Sequence, residues 1–466
     1  MQMRHRAIRR QIFFSRLSRA MSSSSAAFQW RHGTEDALAQ SVRSFNAFLR
    51  QAKSDLHDIV DKDSSANNGK VVHVMIGNEA ADADSIVSSL VYANFKHHVK
   101  ALAAQDHVDV YVPVLPIPRE ELVLRCDVSS LFSKLEIDLD AILFVNEFPW
   151  QHAAFEKGKN AQLKLTLLDH NALNPKRMIP PTQQQQQSEI GQVVEILDHH
   201  MDLGKHPAAS VREIAFADGQ ALVASNCTLI AEKIIAFNAE HGGRNDEVFA
   251  LSSTLLLAVI ALDSVNFNPS AKKVTARDIE AAKELEKAAF ASKEALFEWL
   301  QTEKFNPAHW TKFSVRNCLM CDYKEFGDAS STGLYGVSSI LIDLDKFVNK
   351  ADSSAQLTEQ LQAFAQENHL AFLLVMTMFV DTDGARRRQL LFYEPSGNNN
   401  DITAKCVRFL EQESSLQLER VDLPASHADA RLQAFNQRNA GASRKQVVPL
   451  LQLALSGKGS GENSKY

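Results

Sequence analysis

Between Val71 and Asp198 the chain repeats one pattern: short, unbroken apolar runs separated by stretches of helical periodicity. The runs are VVHVMIG (71–77), VDVYVPVL (108–115), AILFVNE (141–147), LKLTLLD (163–169) and QVVEILD (192–198). Strands that alternate with helices predict a parallel sheet, because a parallel crossover needs a helix-length connection. Continuous apolarity, in place of in-out alternation, predicts strands covered on both faces. Helical patterns at 221–238 and 245–262 close this first unit. Residues 272–303, rich in Ala, Glu and Lys, read as long helices that bridge to a second unit. The second unit carries strand patterns at LYGVSSILID, HLAFLLVMTMFV and RRRQLLFYEP, with helices near 353–367, 401–413 and 446–455. The expected fold class is therefore α/β, a parallel-sheet domain with helices on both faces followed by a smaller mixed α/β domain. A length of 466 residues agrees with two cores rather than one. The expected boundaries are a targeting or disordered segment at 1–34, a first domain at 35–264, a helical linker at 265–309, a second domain at 310–460 and a tail at 461–466.

Residues 1–32 hold seven arginines and no acid, the composition of an organelle transit peptide, so the cytoplasm and the mitochondrion are the expected locations. No apolar run is long enough to span a bilayer. Five scattered cysteines predict free thiols in a reducing compartment, and the Cys318-x-x-Cys321 pair lacks the second pair that a zinc site needs. Asn226-Cys227-Thr228 spells a glycosylation sequon but falls where a helix should begin, and reads as a cap. The glutamine tract within 180–189 reads as a surface loop. A net charge of -6 gives no general pull on nucleic acid or lipid headgroups, so an anionic substrate would need a local basic site.

Acid-containing segments follow three of the predicted strands: Gly77-Asn78-Glu79-Ala80-Ala81-Asp82-Ala83-Asp84-Ser85, Asp169-His170-Asn171 and Asp198-His199-His200. Ligands of open parallel sheets bind at the carboxyl ends of strands, so these segments should share one crevice. Asp263, at the end of a predicted helix, is a fourth candidate. Carboxylates and imidazoles without thiolates suit Mg2+ or Mn2+, and shared carboxylates can hold two such ions, the arrangement used for in-line displacement at phosphorus.

With Asp198-His199-His200 as its signature, the sequence resembles the DHH phosphoesterase superfamily, in the branch whose second domain is of the DHHA2 type. That branch includes fungal-type exopolyphosphatases, prune-like proteins and family II inorganic pyrophosphatases. The resemblance implies Asp82, Asp84, Asp169, His199 and Asp263 as ligands of two divalent ions, with Asp169 bridging. It implies that His200 contacts phosphate, that Asp198 supports the ligand shell and that His170 donates to phosphate. Ser443-Arg444-Lys445 resembles the segment that grips phosphates in this family, a chemistry suited to the guanidinium fork. Family II pyrophosphatases have a histidine at the first metal-binding position, where this chain has Asn78; a neutral amide binds a divalent metal more weakly than imidazole, which weighs against fast pyrophosphate turnover, and Asn78 is expected among the substrate-binding residues. Prune-like sequences end the signature in arginine, whereas His200 is present here.

These readings point to a metal-dependent exopolyphosphatase that releases orthophosphate from the end of inorganic polyphosphate or another short phosphoanhydride, without nucleic-acid or membrane partners. The alternatives are a pyrophosphatase or nucleotide phosphodiesterase on the same scaffold, or a non-catalytic, prune-like interaction protein. Lys272, Lys273 and Arg386 to Arg388 are further basic residues that could lengthen a polyanion groove.

Overall fold

The computed structural model describes residues 28–61, 69–102, 109–156, 161–173, 191–242, 248–304, 306–328, 333–395 and 402–456, apart from the side chains of Pro307 and Lys445. The arginine-rich start through residue 27, the glutamine tract and the tail 461–466 lie outside them. The chain divides into two compact units at Phe305/Asn306.

In the first unit, β1 (Lys70–Ile76), β2 (Asp109–Leu115), β3 (Leu143–Phe144), β4 (Ala161–Leu168), β5 (Gln192–Asp198) and β6 (Val211–Ile214) form one sheet in the order β3-β2-β1-β4-β5-β6. Every pairing is parallel. The chain winds outward from β1 to β3, then returns to lay β4 on the other side of β1. Winding reverses between β1 and β4, and carboxyl ends beside such a reversal leave a crevice for ligands.

Successive strand residues point to opposite faces, and here both sets are buried. Met75, Leu115, Leu168 and Leu197 join a core built with α2 (Ala83–Leu102), α4 (Asn226–Glu240) and α5 (Ala250–Asp263). Val72, Val74, Ile76, Val112 and Leu165 face the other way, covered by Leu56 and Ile59 of α1 (Glu35–Asp61) and by Phe148 and Trp150. Helix α5, ALSSTLLLAVIALD, is buried from Ala250 through Leu262 and so delivers Asp263 at its last residue. A short helix, α3 (Cys126–Lys134), follows β2, and β7 (Phe216–Ala217) pairs with β8 (Gln220–Ala221) in a small hairpin.

The stretch expected as a linker belongs to this unit up to Phe305, with 306–309 in the second. Ala281 and Leu285 of α6 (Ala276–Ala288) and Leu296 and Leu300 of α7 (Lys293–Lys304) are buried in the first core, because both helices carry an apolar face. Likewise the end of the expected leader is packed: Phe28 stacks on Trp299 with ring centroids 4.9 Å apart, and Arg31 donates its N–H to the Phe290 carbonyl.

The second unit contains α8 (Pro307–Thr311), α9 (Val315–Cys321), β9 (Tyr323–Asp328), β10 (Gly333–Ile340), α10 (Leu344–Val348), α11 (Ser354–Glu367), β11 (Leu370–Thr377), β12 (Phe379–Val380), β13 (Arg386–Tyr393), α12 (Ile402–Gln412), β14 (Leu418–Val421), β15 (Leu432–Gln437) and α13 (Arg444–Ser456). Its sheet runs β14-β15-β13-β11-β10-β9, with β12 on β13. β10 and β11 are parallel and the other pairs antiparallel, the mixed sheet that the sequence predicted. None of the five cysteines is in a disulfide, and Cys318 is buried. No helix among the described residues is long and apolar enough to cross a membrane.

Candidate metal centre

The turn from β1 into α2 brings the strand end against the first turn of the helix. A Cβ on Gly77 would lie 2.6 Å from the Ser85 Cβ and 2.8 Å from the Ser85 carbonyl oxygen, so glycine is what permits the approach. Ala81 adopts a left-handed conformation (φ 46°), and Asp82 accepts the Ser85 N–H at 3.1 Å, opening α2 as its N-terminal cap. Arg125, at the start of α3, donates to the Ala80 and Ala81 carbonyls at 2.6–2.9 Å and fastens the turn from outside.

Asp84, one residue inside α2, points across the crevice to the start of α4. Its carboxylate accepts from Ser225 Oγ at 2.7 Å and from the N–H groups of Asn226 and Cys227 at 2.7 and 2.9 Å. Ser225, rather than Asn226, is the N-terminal cap of α4. The Asn226 side chain is buried and donates to Ser88 Oγ. A carboxylate at a helix N-terminus is held by the free N–H groups and the helix dipole.

Asp169 leaves β4 in the left-handed region (φ 62°), an uncommon state for a non-glycine residue and a feature of functional sites. Its Oδ2 accepts from Ser85 Oγ at 2.8 Å and from Asn78 Nδ2 at 2.6 Å, and its Oδ1 faces His199 Nε2 at 3.1 Å. Asn78, expected among the substrate-binding residues, is tied here to Asp169. His170 turns away: its Nδ1 donates to the Leu168 carbonyl at 3.0 Å, and burial pulls its pKa down. A neutral ring with its hydrogen on Nδ1 offers only a lone pair at Nε2, so the donation to phosphate expected of His170 does not fit this geometry.

Asp198, fully buried, organises the signature. Its Oδ1 accepts the N–H groups of His199 and His200 and the His200 Nδ1 at 2.8, 3.1 and 2.9 Å, and its Oδ2 accepts Asn171 Nδ2. Against the cost of burial, those bonds hold its carboxyl below the usual range. His200 is left with an exposed ring, raised in pKa chiefly by its bond to Asp198. His199 Nδ1 meets the Val223 carbonyl at 3.1 Å, and its Nε2 faces Asp84 Oδ2 at 3.6 Å.

Burial, then the charges of Asp84 and Asp82, pushes Asp169 up to about 7. Burial opposes protonation of His199, but its bond to Asp169 and the charges of Asp84 and Asp169 outweigh it and lift the ring to about 10. Asp263 is raised well above the ordinary carboxylate range by burial and by Asp84 and Asp82, and its Oδ2 is buried without a hydrogen-bond partner. These five residues therefore meet in one electrostatic neighbourhood. Asp169, His199 and His200 also offer ligand atoms within 4.8 Å of one another. Hard oxygen donors, an imidazole nitrogen and an orphaned carboxylate oxygen fit a divalent cation, whose charge would relieve the crowding of acids.

A family model described as the DHH family, N-terminal domain, matches residues 72–261, and one described as the DHHA2 domain matches 300–454. Exopolyphosphatase PRUNE1 of Bos taurus is 32% identical over 397 residues, which make up 84% of this chain and 78% of that protein. The chain belongs to the DHH family. An exopolyphosphatase-named protein of Schizosaccharomyces pombe is 25% identical over 87% of this DHH chain and 96% of its own. A solved structure from Methanococcus jannaschii, described as a family II inorganic pyrophosphatase, aligns over 83% of this chain and 100% of that one, at 18% identity and a TM-score of 0.39.

In the DHHA2 domain, Ser443 caps α13, its N–H and Oγ both reaching Gln446 Oε1 at 2.8 and 2.7 Å. The Arg444 fork is engaged at the end of α9, donating to the Asp322 carbonyl and carboxylate, each at 2.7 Å. The Lys445 side chain lies outside the described atoms. Of the three arginines opening β13, Arg387 is exposed and paired with Asp381 and Asp383, whereas Arg388 is half-buried and donates to the Ala440 carbonyl at 2.8 Å. Ser85 and Asn171 lie within the sequence motifs but carry no role there, and Arg125 lies outside them. Asn171 could have been found from its place, two residues past a strand-terminal aspartate. Ser85 and Arg125 act through bonds to residues distant in the chain or to backbone, which no local pattern marks.

Proposed function

We propose that this DHH-family chain is a divalent-metal-dependent phosphoanhydride hydrolase, and that its substrate is inorganic polyphosphate, shortened from the end with release of orthophosphate. The observation that carries the reading is the convergence of Asp169 and His199 with Asp84 and an unpartnered Asp263 oxygen at the strand ends where the winding reverses. The names of the relatives supply the substrate class. Asp82, Asp84, Asp169, His199 and Asp263 would hold two ions, Mg2+ or Mn2+, with Asp169 shared. Such ions neutralise phosphate oxygens and make water a better nucleophile.

The rest falls to the protein. Asp198 holds His200 by Nδ1, which keeps the ring protonated more readily and leaves its exposed Nε2–H to donate to a phosphate oxygen. Ser85 and Asn78 fix Asp169 in its left-handed conformation. Arg444, Lys445 and the Ser443 end of α13 would bind further phosphates, Arg444 exchanging its Asp322 contact for a phosphate oxygen. The intact His200 favours turnover over a purely interacting role.

Phosphate release by purified protein, measured with Mg2+ or Mn2+ on graded polyphosphates, tripolyphosphate, pyrophosphate and cyclic nucleotides, tests the proposal. Polyphosphate should be the best substrate and a chelator should stop release. Faster turnover of pyrophosphate or of a cyclic nucleotide would move the assignment to those alternatives, and phosphate binding without turnover would move it to an interaction protein.

A further inference from the structure

The peptide unit joining Val223 to Ala224 lies between a proposed metal ligand and a buried acid. On one side its carbonyl meets His199 Nδ1 at 3.1 Å. On the other its N–H donates to both oxygens of Asp278, at 2.9 and 3.0 Å. A carbonyl can only accept, so Nδ1 carries the ring hydrogen, and Nε2, facing Asp169 and Asp84, is the nitrogen that can ligate. Asp278 is 0% exposed and sits in the first turn of α6. Its remaining contacts are Thr228 Oγ1 at 2.7 Å, Thr275 N at 2.7 Å and Thr275 Oγ1 at 2.8 Å. Every one of these donors is neutral.

We infer that Asp278 is a positioning residue for His199, acting through the intervening peptide. An anion on a peptide N–H polarises the unit and strengthens its carbonyl as an acceptor, since hydrogen bonds in series reinforce one another. Ligating histidines are commonly oriented by a carboxylate or carbonyl on the far ring nitrogen. Here the two are in series, so the carboxylate fixes tautomer and ring direction without touching the ring. The same carboxylate ties α4, through Thr228, and α6, through Thr275, to that peptide. The inference rests on the reading of His199 as a metal ligand.

A plain helix cap would use the same Thr275-to-Asp278 contacts, and the two roles predict different outcomes. Co2+ binding to the full-length protein, followed by calorimetry and by visible absorption, separates them. Asp278→Asn should weaken Co2+ binding about 10- to 100-fold and shift the spectrum, while Thr275→Val, which removes the side-chain cap and one donor to Asp278 but leaves the Ala224 N–H on the carboxylate, should bind close to wild type. Asp278→Glu keeps the charge and the reach-back that helix caps favour, yet displaces the carboxylate from the Ala224 N–H. It should fold and still bind Co2+ more weakly, which keeps the test open if Asp278→Asn does not fold. Wild-type affinity in either Asp278 variant, or an equal loss in Thr275→Val, overturns the relay. The metal reading is checked separately by His199→Ala: unchanged Co2+ binding there overturns that reading and the relay with it, whereas a loss in His199→Ala without one at Asp278 overturns the relay alone.

Discussion

Asp169→Asn should make the protein more stable and catalytically dead at once. The Asp169 carboxyl is 2% exposed, and burial with the charges of Asp84 and Asp82 lifts it from the usual 3.8 to about 7. That rise corresponds to about 4 kcal/mol against the ionised form, a figure already reduced by the favourable bond to His199. Asparagine keeps the shape and an oxygen for the Ser85 hydroxyl while removing the charge. The sign follows from proton binding: a carboxyl with a raised folded pKa holds a proton that the unfolded chain releases, so its penalty grows as pH rises from about 4 to about 7 and is complete above that. With a chelator at pH about 8, the variant should gain up to about 4 kcal/mol in urea unfolding, and the gain should shrink toward zero as pH approaches about 4. Phosphate release with Mg2+ or Mn2+ should be lost, as expected where an active site stores instability. A variant less stable than wild type at pH about 8 in chelator would refute the electrostatic account, and one with wild-type turnover would refute the bridging role.

Gly77→Ala would press its Cβ against the Ser85 backbone. It should cost about 1–3 kcal/mol and slow phosphate release by moving Ser85 off Asp169, read by thermal unfolding and by assay. His199, raised to about 10, must lose its proton to ligate. Divalent affinity should therefore rise about tenfold per pH unit for each proton displaced, or about 100-fold from pH about 6 to about 8, by titration calorimetry. Without added ions the sign reverses, because stability from protonated His199 is complete below pH about 6.5 and fades as pH rises toward about 10.

Much of the architecture was readable because both halves of the first unit follow local rules. Each of the five apolar runs became a strand of a single sheet, although AILFVNE keeps only Leu143–Phe144 paired, after a tight turn at Leu139–Ala141. Helix α1 was equally readable and was passed over: Leu38, Val42, Phe45, Leu49, Ala52, Leu56 and Ile59 recur at helical spacing. β6 was not readable, since Val-Arg-Glu-Ile on a sheet edge has neither an apolar run nor alternation to mark it. The site divides in the same way. Strand-terminal acids announce a crevice, but the grip of Asp84 on the start of α4 and of Asp278 on the Val223–Ala224 peptide joins residues far apart in sequence. Linker composition misled for a related reason: the Ala, Glu and Lys of α6 and α7 mark helix, and the sparse apolar positions that dock it count only once the partner surface exists.

The two histidines that follow strand-terminal aspartates, His170 after Asp169 and His199 after Asp198, show why a motif alone cannot assign roles. His199 sits one residue past β5 and His170 two residues past β4, and both use Nδ1 on a backbone carbonyl. They differ in what faces the other nitrogen. His199 looks onto Asp169 and Asp84, which lift its pKa to about 10, whereas His170 is half-buried and desolvation lowers its pKa. Environments that drive paired groups apart in pKa mark different jobs. His170→Asn can keep a donor to the Leu168 carbonyl, and should retain turnover within about tenfold, a loss of about 1.4 kcal/mol at most. His199→Asn places a shorter, neutral amide where an imidazole ligates, and should abolish turnover and weaken divalent binding. Equal losses at the two positions, measured by phosphate release and calorimetry, would mean that His170 also acts on substrate and that its Nδ1 contact does not fix its role.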